Sequence, residues 1–486
     1  MRPARLIYEH SSPGRSGVAL PQPDPDAPMV SDVIPADELR ADLPLPEVSQ
    51  NDVMRHYVGL SQKNFCIDTD MYPLGSCTMK YNPKVNEVTA RLPGLAAIHP
   101  WQPDEQVQGA LELLYELERL ISAITGFAAI TLQPAAGAQG EFTGMMIIRA
   151  HLLHTGKRRS KVLIPDSAHG TNPATAAMCG YDVVGIPTDE RGELDVNALE
   201  ASLDDEVAGI MMTVPNTLGL FESRIERICE LTHDAGGYVY CDGANMNAMV
   251  GWVRPAELGI DVMHLNLHKT FSTPHGGGGP GAGALCVTGE LEPYLPTPQV
   301  VRNEDGSFER RDDFPESIGR LHGSAGNFGN LVRAYTYIRS LGDSGLREVG
   351  ELAVLNANYL RTKLSDLYEQ AYDRTCMHEV VFAGLKDPAA GIHTLDVAKR
   401  LIDFGFHPPT IYFPLIVGEA LMIEPTETES VETLDRFVDA MRQIAHEARD
   451  EPDLLREAPT STPVRRLDET RAARRPNVRW TPDSPG

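Results

Sequence analysis

Short apolar segments alternate with amphipathic segments between residues 107 and 287. The first amphipathic segment stops at Gly126 and predicts a helix, because its apolar residues recur at helical spacing: Val107, Leu111, Leu114, Leu117, Ile121 and Ile124. Seven segments rich in apolar residues and without period-two alternation follow: AAITLQP, KVLIPD, YDVVGIPTD, VAGIMMTVP, GYVYCDGA, VMHLNLH and GALCV. Strands buried on both faces have this pattern. It predicts a three-layer α/β domain with a mostly parallel sheet.

Four regions follow from the same pattern. Residues 1–95 begin with about 50 residues rich in proline and acidic side chains, and we expect an extended N-terminal arm that lies on a neighbouring chain. Residues 96–315 contain the apolar segments and form the large domain. Residues 316–450 combine a long helical stretch with the segments EVVFAGL, TIYFPL and ALMIEPT, which predict a smaller α+β domain. Residues 451–486 form a charged tail.

Composition narrows the possible functions. The formal net charge of 43 − 68 = −25 disfavours a groove that neutralises phosphates, so nucleic acid is not expected as a partner. The seven cysteines form no CxxC pair and no Cys/His cluster, which argues against a metal site and predicts reduced thiols in a cytoplasmic protein. No apolar run is long enough to span a membrane. We expect no secretory signal in the first residues, while a weak transit peptide stays an alternative.

A glycine-rich stretch, HLNLHKTFSTPHGGGGPG at 264–281, has three interpretations. Gly276, Gly278 and Gly281 match a dinucleotide-binding loop, but Pro280 interrupts the motif and an apolar strand follows it where a helix is required. HGGGG is also found in esterase oxyanion holes, but the G-x-S-x-G motif of that fold does not occur. The third interpretation places the chemistry at Lys269, since a lysine at the end of a buried strand can lose its proton and form a Schiff base.

Two further polar residues follow predicted strands. Asp242 could hold a proton on a pyridine nitrogen, and Ala244 is small enough for a flat ring to lie against it. His169 follows another strand and could stack on that ring. Considered alone, Asp242 could equally form a turn, and a single loop histidine more often has no such role.

The turn at Gly137, Ala138 and Gln139 lies between a strand and an apolar helix. Backbone N–H groups at a helix N-terminus bind phosphate, although an ordinary tight turn would have the same sequence. The order of phosphate turn, histidine, aspartate and lysine along the chain is the order that a pyridoxal 5′-phosphate enzyme of the aminotransferase-like fold needs.

The sequence closely resembles the glycine decarboxylase (P-protein) family of the glycine cleavage system, in its separate second-subunit form. The resemblance covers most of residues 60–430 and rests on these segments: GSCTMKYNP, QPAAGAQGE, IPDSAHGTNPATA, DGANMNA, HLNLHKTFSTPHGGGGPG and MIEPTETES. It implies the type I pyridoxal phosphate-dependent fold. It also implies that glycine loses CO2 and that the remaining aminomethyl group passes to the lipoyl arm of the H-protein.

Site residues are carried over by position. The resemblance implies that Lys269 binds the cofactor covalently, that Asp242 faces the pyridine nitrogen and that His169 stacks on the ring. It also implies phosphate binding by the 137–139 turn, with help from Thr270 or residues near Ser324. Metal ligands are not expected.

The resemblance also implies partners. It predicts a non-catalytic subunit 1, assembled as a heterotetramer of two plus two chains, and a lipoylated H-protein whose arm passes beside Gly276–Gly279. GSCTMKYNP is expected to line the substrate pocket, where Lys80 or Asn82 could meet a carboxylate, and Cys66 and Cys77 are interpreted as packed thiols.

Two alternatives stay open from the sequence. Another pyridoxal phosphate reaction would keep Lys269 and change the product, as in an amino acid decarboxylase, a cysteine desulfurase or a serine-glycine transferase. An inactive scaffold subunit is the alternative without enzymatic activity, and the joint presence of Lys269, Asp242 and His169 argues against it.

Overall fold

A computed structural model describes residues 5–40, 43, 45–276, 281–324 and 326–478. The chain divides into two compact units. One unit spans Asp70–Ala458, and the other combines Met1–Thr69 with Pro459–Gly486.

A seven-stranded sheet forms the centre of the larger unit, with the strand order β1-β7-β6-β5-β4-β2-β3. All seven strands predicted from the apolar segments are confirmed: β1 (Ala129–Thr131), β2 (Lys161–Pro165), β3 (Asp182–Ile186), β4 (Val207–Thr213), β5 (Tyr238–Asp242), β6 (Val262–Asn266) and β7 (Gly283–Val287). The five strands from β6 to β3 are parallel, whereas β7 runs antiparallel to β6 and β1. The mostly parallel sheet was therefore predicted correctly.

Helices pack on this sheet because its central strands are apolar on both faces. Every residue of β5, β6 and β7 is buried. The associated helices are α5 (Gln108–Thr125), α6 (Gly137–His154), α7 (Thr171–Met178), α8 (Val196–Ser202) and α9 (Ile225–Asp234). The predicted stop of α5 is confirmed, since Gly126 adopts φ 82° and its N–H bonds the Ser122 carbonyl. A two-stranded hairpin follows, formed by β8 (Gln299–Arg302) and β9 (Phe308–Arg311).

The C-terminal part of this unit contains a smaller sheet with the order β10-β11-β13-β12. Its strands are β10 (Tyr368–Gln370), β11 (Val380–Leu385), β12 (Thr410–Ile411) and β13 (Leu421–Ile423), all paired antiparallel. Four helices accompany it: α10 (Phe328–Leu364, interrupted at Gly342), α11 (Thr394–Asp403), α12 (Val431–Asp450) and α13 (Pro452–Glu457). The predicted α+β character of this region is confirmed.

The N-terminal region is more helical than its sequence pattern indicates. The second unit has α1 (Val30–Val33), α2 (Gln50–Ser61) and α14 (Glu469–Arg474), and α3 (Lys84–Ala90) and α4 (Pro93–Ala96) lie in the larger unit. Ser49 caps α2 by accepting a hydrogen bond from the Asp52 N–H, while Asp52 accepts one from the Ser49 N–H. The domain boundaries at 95, 315 and 450 stay predictions. Within the described residues, no helix has the length and apolarity needed to cross a membrane.

Candidate active site

A cavity of about 360 Å³ opens at the carboxyl ends of β4, β5 and β6. Thr213, Asp242 and Asn266 are the last residues of these three strands, and all three line it. In a parallel sheet the carboxyl ends of neighbouring strands lie at one edge, where α/β proteins bind ligands. The remaining described lining residues are Ser76, Cys77, Gly137, Ala138, Glu141, His169, Thr171, Pro215, Asn216, Thr217, Ala244, Asn245, His264, His268, Lys269, His275, His378 and Glu379.

Lys269 lies in a tight turn directly after β6. Its N–H bonds the Asn266 carbonyl at 3.0 Å, and its own carbonyl accepts from the Ser272 N–H at 3.2 Å. The backbone at the neighbouring Thr270 is also held in place, because the buried Lys80 ammonium donates a hydrogen bond to the Thr270 carbonyl at 2.8 Å. The backbone of Lys269 is therefore fixed on both sides, while its half-buried side chain faces the cavity.

Asp242 is the centre of a buried polar cluster. Its Oδ1 accepts a hydrogen bond from the Ala244 N–H at 3.0 Å and lies 3.4 Å from His264 Nε2. The other nitrogen of His264 bonds the Tyr240 hydroxyl at 2.5 Å. Burial and the neighbouring Asp242 raise the pKa of Glu141 to about 8. Glu141 therefore stays protonated at neutral pH.

The N-terminus of α6 opens onto the same cavity through Gly137 and Ala138. A Cβ on Gly137 would lie 2.4 Å from Asn266 Oδ1, so a larger residue here would displace the Asn266 side chain. That Asn266 oxygen is buried and has no hydrogen-bond partner among the described residues. Free helix N–H groups and an unpaired amide oxygen are available to a ligand here.

His169 enters the cavity from the turn between β2 and α7. Its Nδ1 is paired with the Thr171 hydroxyl, and its ring meets the Phe413 ring edge-on at 5.4 Å between centroids. Burial lowers the pKa of every histidine in the cavity wall, to about 4 for His268 and about 3 for His378; the others are His169, His264 and His275. These imidazoles are neutral at neutral pH.

Most residues predicted for the site meet in this one cavity: Gly137, Ala138, His169, Asp242, Ala244 and Lys269. Gln139 and Thr270 are not among its lining residues. The Gln139 side chain accepts from the Ala135 N–H at 2.7 Å, and the Thr270 hydroxyl accepts from the Met246 N–H at 2.8 Å. Their assignment to the cofactor stays a prediction.

The GSCTMKYNP segment contributes Ser76 and Cys77 to the cavity wall, as expected. Lys80 is unavailable to a substrate carboxylate, since its ammonium is 2.5 Å from Glu427 Oε1 and 3.2 Å from the Tyr337 hydroxyl. The Asn82 amide donates to the Lys80 carbonyl. Neither side chain lines the cavity, so this geometry does not support the expected contact of Lys80 or Asn82 with a substrate carboxylate.

The glycine run is only partly described. Gly276 is exposed and has φ 71°, in the left-handed region. Residues 277–280 lie outside the described residues, so the expected passage of a lipoyl arm beside Gly276–Gly279 stays a prediction. The closing Gly281 packs against His268, where a Cβ would lie 2.7 Å from Nδ1. This glycine is needed because of close packing.

Three further residues, not predicted from the sequence, form the polar group on the far side of the cavity or directly behind it: His378, Glu379 and Glu424. His378 and Glu379 precede β11 and line the cavity, and Glu424 follows β13. Glu424 lies in the MIEPTETES segment, and this was the available signal. No arginine is among the described residues that line the cavity.

Comparisons with known proteins find close relatives and similar folds. Residues 349–459 match the family described as "Glycine dehydrogenase, C-terminal domain", and residues 140–309 match "Aminotransferase class-V". A "Probable glycine dehydrogenase (decarboxylating) subunit 2" from Caldanaerobacter subterraneus subsp. tengcongensis is 56% identical over 478 residues, covering 98% of each chain. The protein of the same name from Desulforamulus reducens is 56% identical over 483 residues, covering 99% of each chain.

The fold is also similar to solved structures. A crystal structure of "glycine decarboxylase (P-protein) of the glycine cleavage system, in inhibitor-bound form" has a TM-score of 0.72 at 22% identity and covers 86% of this chain and 95% of that one. A cysteine desulfurase from Thermococcus onnurineus has a TM-score of 0.59 at 19% identity, covering 78% of this chain and 97% of that one. The predicted aminotransferase-like fold is confirmed.

Proposed function

Because the chain belongs to the family of glycine dehydrogenase (decarboxylating) subunit 2 proteins, we propose that the Lys269 cavity removes CO2 from glycine and passes the aminomethyl group to the lipoyl arm of an H-protein. The enzyme is a pyridoxal phosphate-dependent glycine decarboxylase. The observation that carries the proposal is the meeting of Lys269, Asp242, His169 and the start of α6 in one cavity.

The residues of the cavity fit the cofactor. The amine of Lys269 would hold its aldehyde carbon, the N–H groups of Gly137 and Ala138 would hold its phosphate, and His169 would lie against its ring. Asp242 would keep a proton on the ring nitrogen, and its position is fixed by the Ala244 N–H. Once bound, pyridoxal phosphate supplies a ring that accepts the electron pair left when CO2 departs.

The cavity wall favours loss of the substrate carboxylate. An arginine would form a bidentate ion pair with that carboxylate and stabilise it before the reaction, which would oppose its departure. The described wall instead offers neutral imidazoles such as His378, whose low pKa follows from burial. A carboxylate held against this wall would lose solvation without gaining a strong ion pair.

The subunit name of the relatives implies a partner subunit 1. We infer that two copies of each subunit form a heterotetramer and that a lipoylated H-protein docks at the open side of the cavity. Gly276 is the described member of the run Gly276–Gly279 for which this passage is predicted, and it is exposed.

Exchange of label between carboxyl-labelled glycine and bicarbonate tests the proposal. The assay contains the chain, subunit 1, the lipoylated H-protein and the cofactor. We expect exchange by the wild-type chain, none with Lys269→Ala, and an unchanged rate with Lys157→Ala, which replaces an exposed lysine after α6. Absence of exchange by the wild-type assembly would overturn the glycine assignment and favour another pyridoxal phosphate reaction.

A further inference from the structure

Two glutamates meet at one end of the small sheet. Glu379 directly precedes β11 and Glu424 directly follows β13, and these strands pair antiparallel with Val380 opposite Ile423. The pairing brings a carboxylate oxygen of each glutamate within 4.8 Å of the other and of a His378 nitrogen. Glu379 is 3% exposed and Glu424 is fully buried. The two carboxyl groups therefore form a buried pair, and Glu379 faces the cavity.

The loop from Ser76 to Thr78 holds this pair in place. The Ser76 N–H donates to Glu379 Oε2 at 3.0 Å, and the Thr78 N–H and hydroxyl each donate to Glu424 Oε2 at 3.1 Å. Ser76 and Thr78 adopt φ 66° and φ 51°, a conformation that non-glycine residues adopt only when their surroundings impose it. Asn245 adds a donor to Glu424 Oε1 at 2.8 Å.

The charged groups around the pair favour a state in which the two carboxyl groups together hold one proton. The positive charge of Lys269 lowers the pKa of both carboxyl groups. Glu427 repels Glu424 and raises its pKa, although Glu427 is itself paired with Lys80. Burial raises the pKa of the Cys77 thiol beside Lys269, so this thiol carries no charge.

Burial and mutual repulsion raise the pKa of Glu379 to about 8, and burial raises that of Glu424 to about 7. The pair therefore keeps a proton at neutral pH.

His378 adds an unpaired polar atom to the wall beside Glu379. It is 4% exposed, lines the cavity, and its Nδ1 has no hydrogen-bond partner among the described residues. Burial keeps its pKa near 3, so it cannot itself supply a proton at neutral pH. An unpaired, buried nitrogen next to Glu379 leaves a polar position for an incoming group.

We propose that Glu379, held by Glu424, is the acid that protonates the leaving sulfur of the lipoyl disulfide. This step rests on the proposed function. The carbon that has lost CO2 forms a bond to one sulfur, the S–S bond breaks, and the second sulfur takes its electron pair. That sulfur receives the proton of Glu379 and becomes a thiol, so the disulfide is reduced and the substrate carbon is oxidised. The ionised pair then takes a proton from water.

The test combines two measurements on Glu379→Gln, Glu424→Gln and the control Glu118→Gln. Glu118 is a half-buried acid outside this cavity whose pKa is raised by burial to about 8. In the full assembly, the rate of H-protein thiol formation should fall at least about 100-fold in Glu379→Gln and stay unchanged in Glu118→Gln. The wild-type rate should decrease as pH rises through about 7 to 8, and Glu379→Gln should lose this dependence.

Infrared spectra of the cofactor-free chain give the second readout. The C=O band of a protonated carboxyl group should lose one group's intensity in Glu379→Gln and in Glu424→Gln at neutral pH. If the band is intact, or if it is lost while thiol formation keeps the wild-type rate, Glu379 is not the donor and Lys269 or water takes that role. Absence of label exchange by the wild-type chain would instead refute the proposed function. Glu424→Gln serves as the second variant if Glu379→Gln does not fold.

Discussion

Replacement of Lys80 by methionine tests how the turn that carries Lys269 is supported. The side chains of Lys80 and Glu427 are 1% and 6% exposed, and their Nζ and Oε1 atoms lie 2.5 Å apart. The same ammonium donates to the Thr270 carbonyl at 2.8 Å, next to Lys269. Methionine has a similar length but no charge, so Lys80→Met leaves the Glu427 carboxylate buried without its cation.

The expected loss follows from that burial. Removing one partner of a buried ion pair costs about 3–5 kcal/mol of unfolding free energy, because the remaining charge is uncompensated. Lys80→Met combined with Glu427→Gln removes both charges. The pair should show a coupling energy of about 2–3 kcal/mol in a double-mutant cycle.

Urea unfolding of the cofactor-free chain at neutral pH measures these differences. Lys161→Met is the exposed control, since Lys161 pairs with Asp204 at 2.7 Å and with Glu206 at 2.8 Å while the three side chains are 30%, 44% and 57% exposed. The control should lose no more than about 1 kcal/mol. If Lys80→Met also loses less than about 1 kcal/mol, or if the double variant shows no coupling, the ion pair does not support the turn.

Three further predictions concern the site and its surroundings. Asp242→Asn should still bind cofactor but decarboxylate glycine at least about 100-fold more slowly, a loss of about 2.7 kcal/mol, and unchanged turnover in the exchange assay would contradict its role. Gly137→Ala should weaken cofactor binding in a spectroscopic titration, because its Cβ would lie 2.4 Å from Asn266 Oδ1; equal affinity would show that the helix start does not hold the phosphate. The pKa of Glu118 is raised by burial from 4.5 to about 8, so the wild-type chain should lose stability as pH rises across this range. Glu118→Gln should reduce that loss in thermal unfolding, and an identical pH profile would contradict the prediction.

The strands and the first helix of the large domain were predictable because burial on both faces and helical spacing are local properties of the chain. The positions of Lys269, Asp242 and His169 were also predictable, since each lies at or shortly after the end of a strand and parallel strands end at one edge of a sheet. The turn at Gly137 could be placed from its small residues before an apolar helix. Local patterns thus determined the fold class and the cofactor side of the cavity.

The pairing of Glu379 with Glu424 was decided by tertiary structure. Glu379 and Glu424 meet because two antiparallel strands pair, and the Thr78 that holds Glu424 lies 346 positions away from it along the chain. No local pattern specifies such a contact. The contact buries the carboxyl groups of Glu379 and Glu424 and makes them repel each other, and these two effects decide whether the pair keeps a proton. Lys80 shows the same limit. Its place in the GSCTMKYNP segment is compatible with substrate binding, and only the contact with the buried Glu427 shows that Lys80 supports the turn next to Lys269. The sequence alone determined which residues follow each strand, whereas the packing of distant segments decided which charges remain free for chemistry.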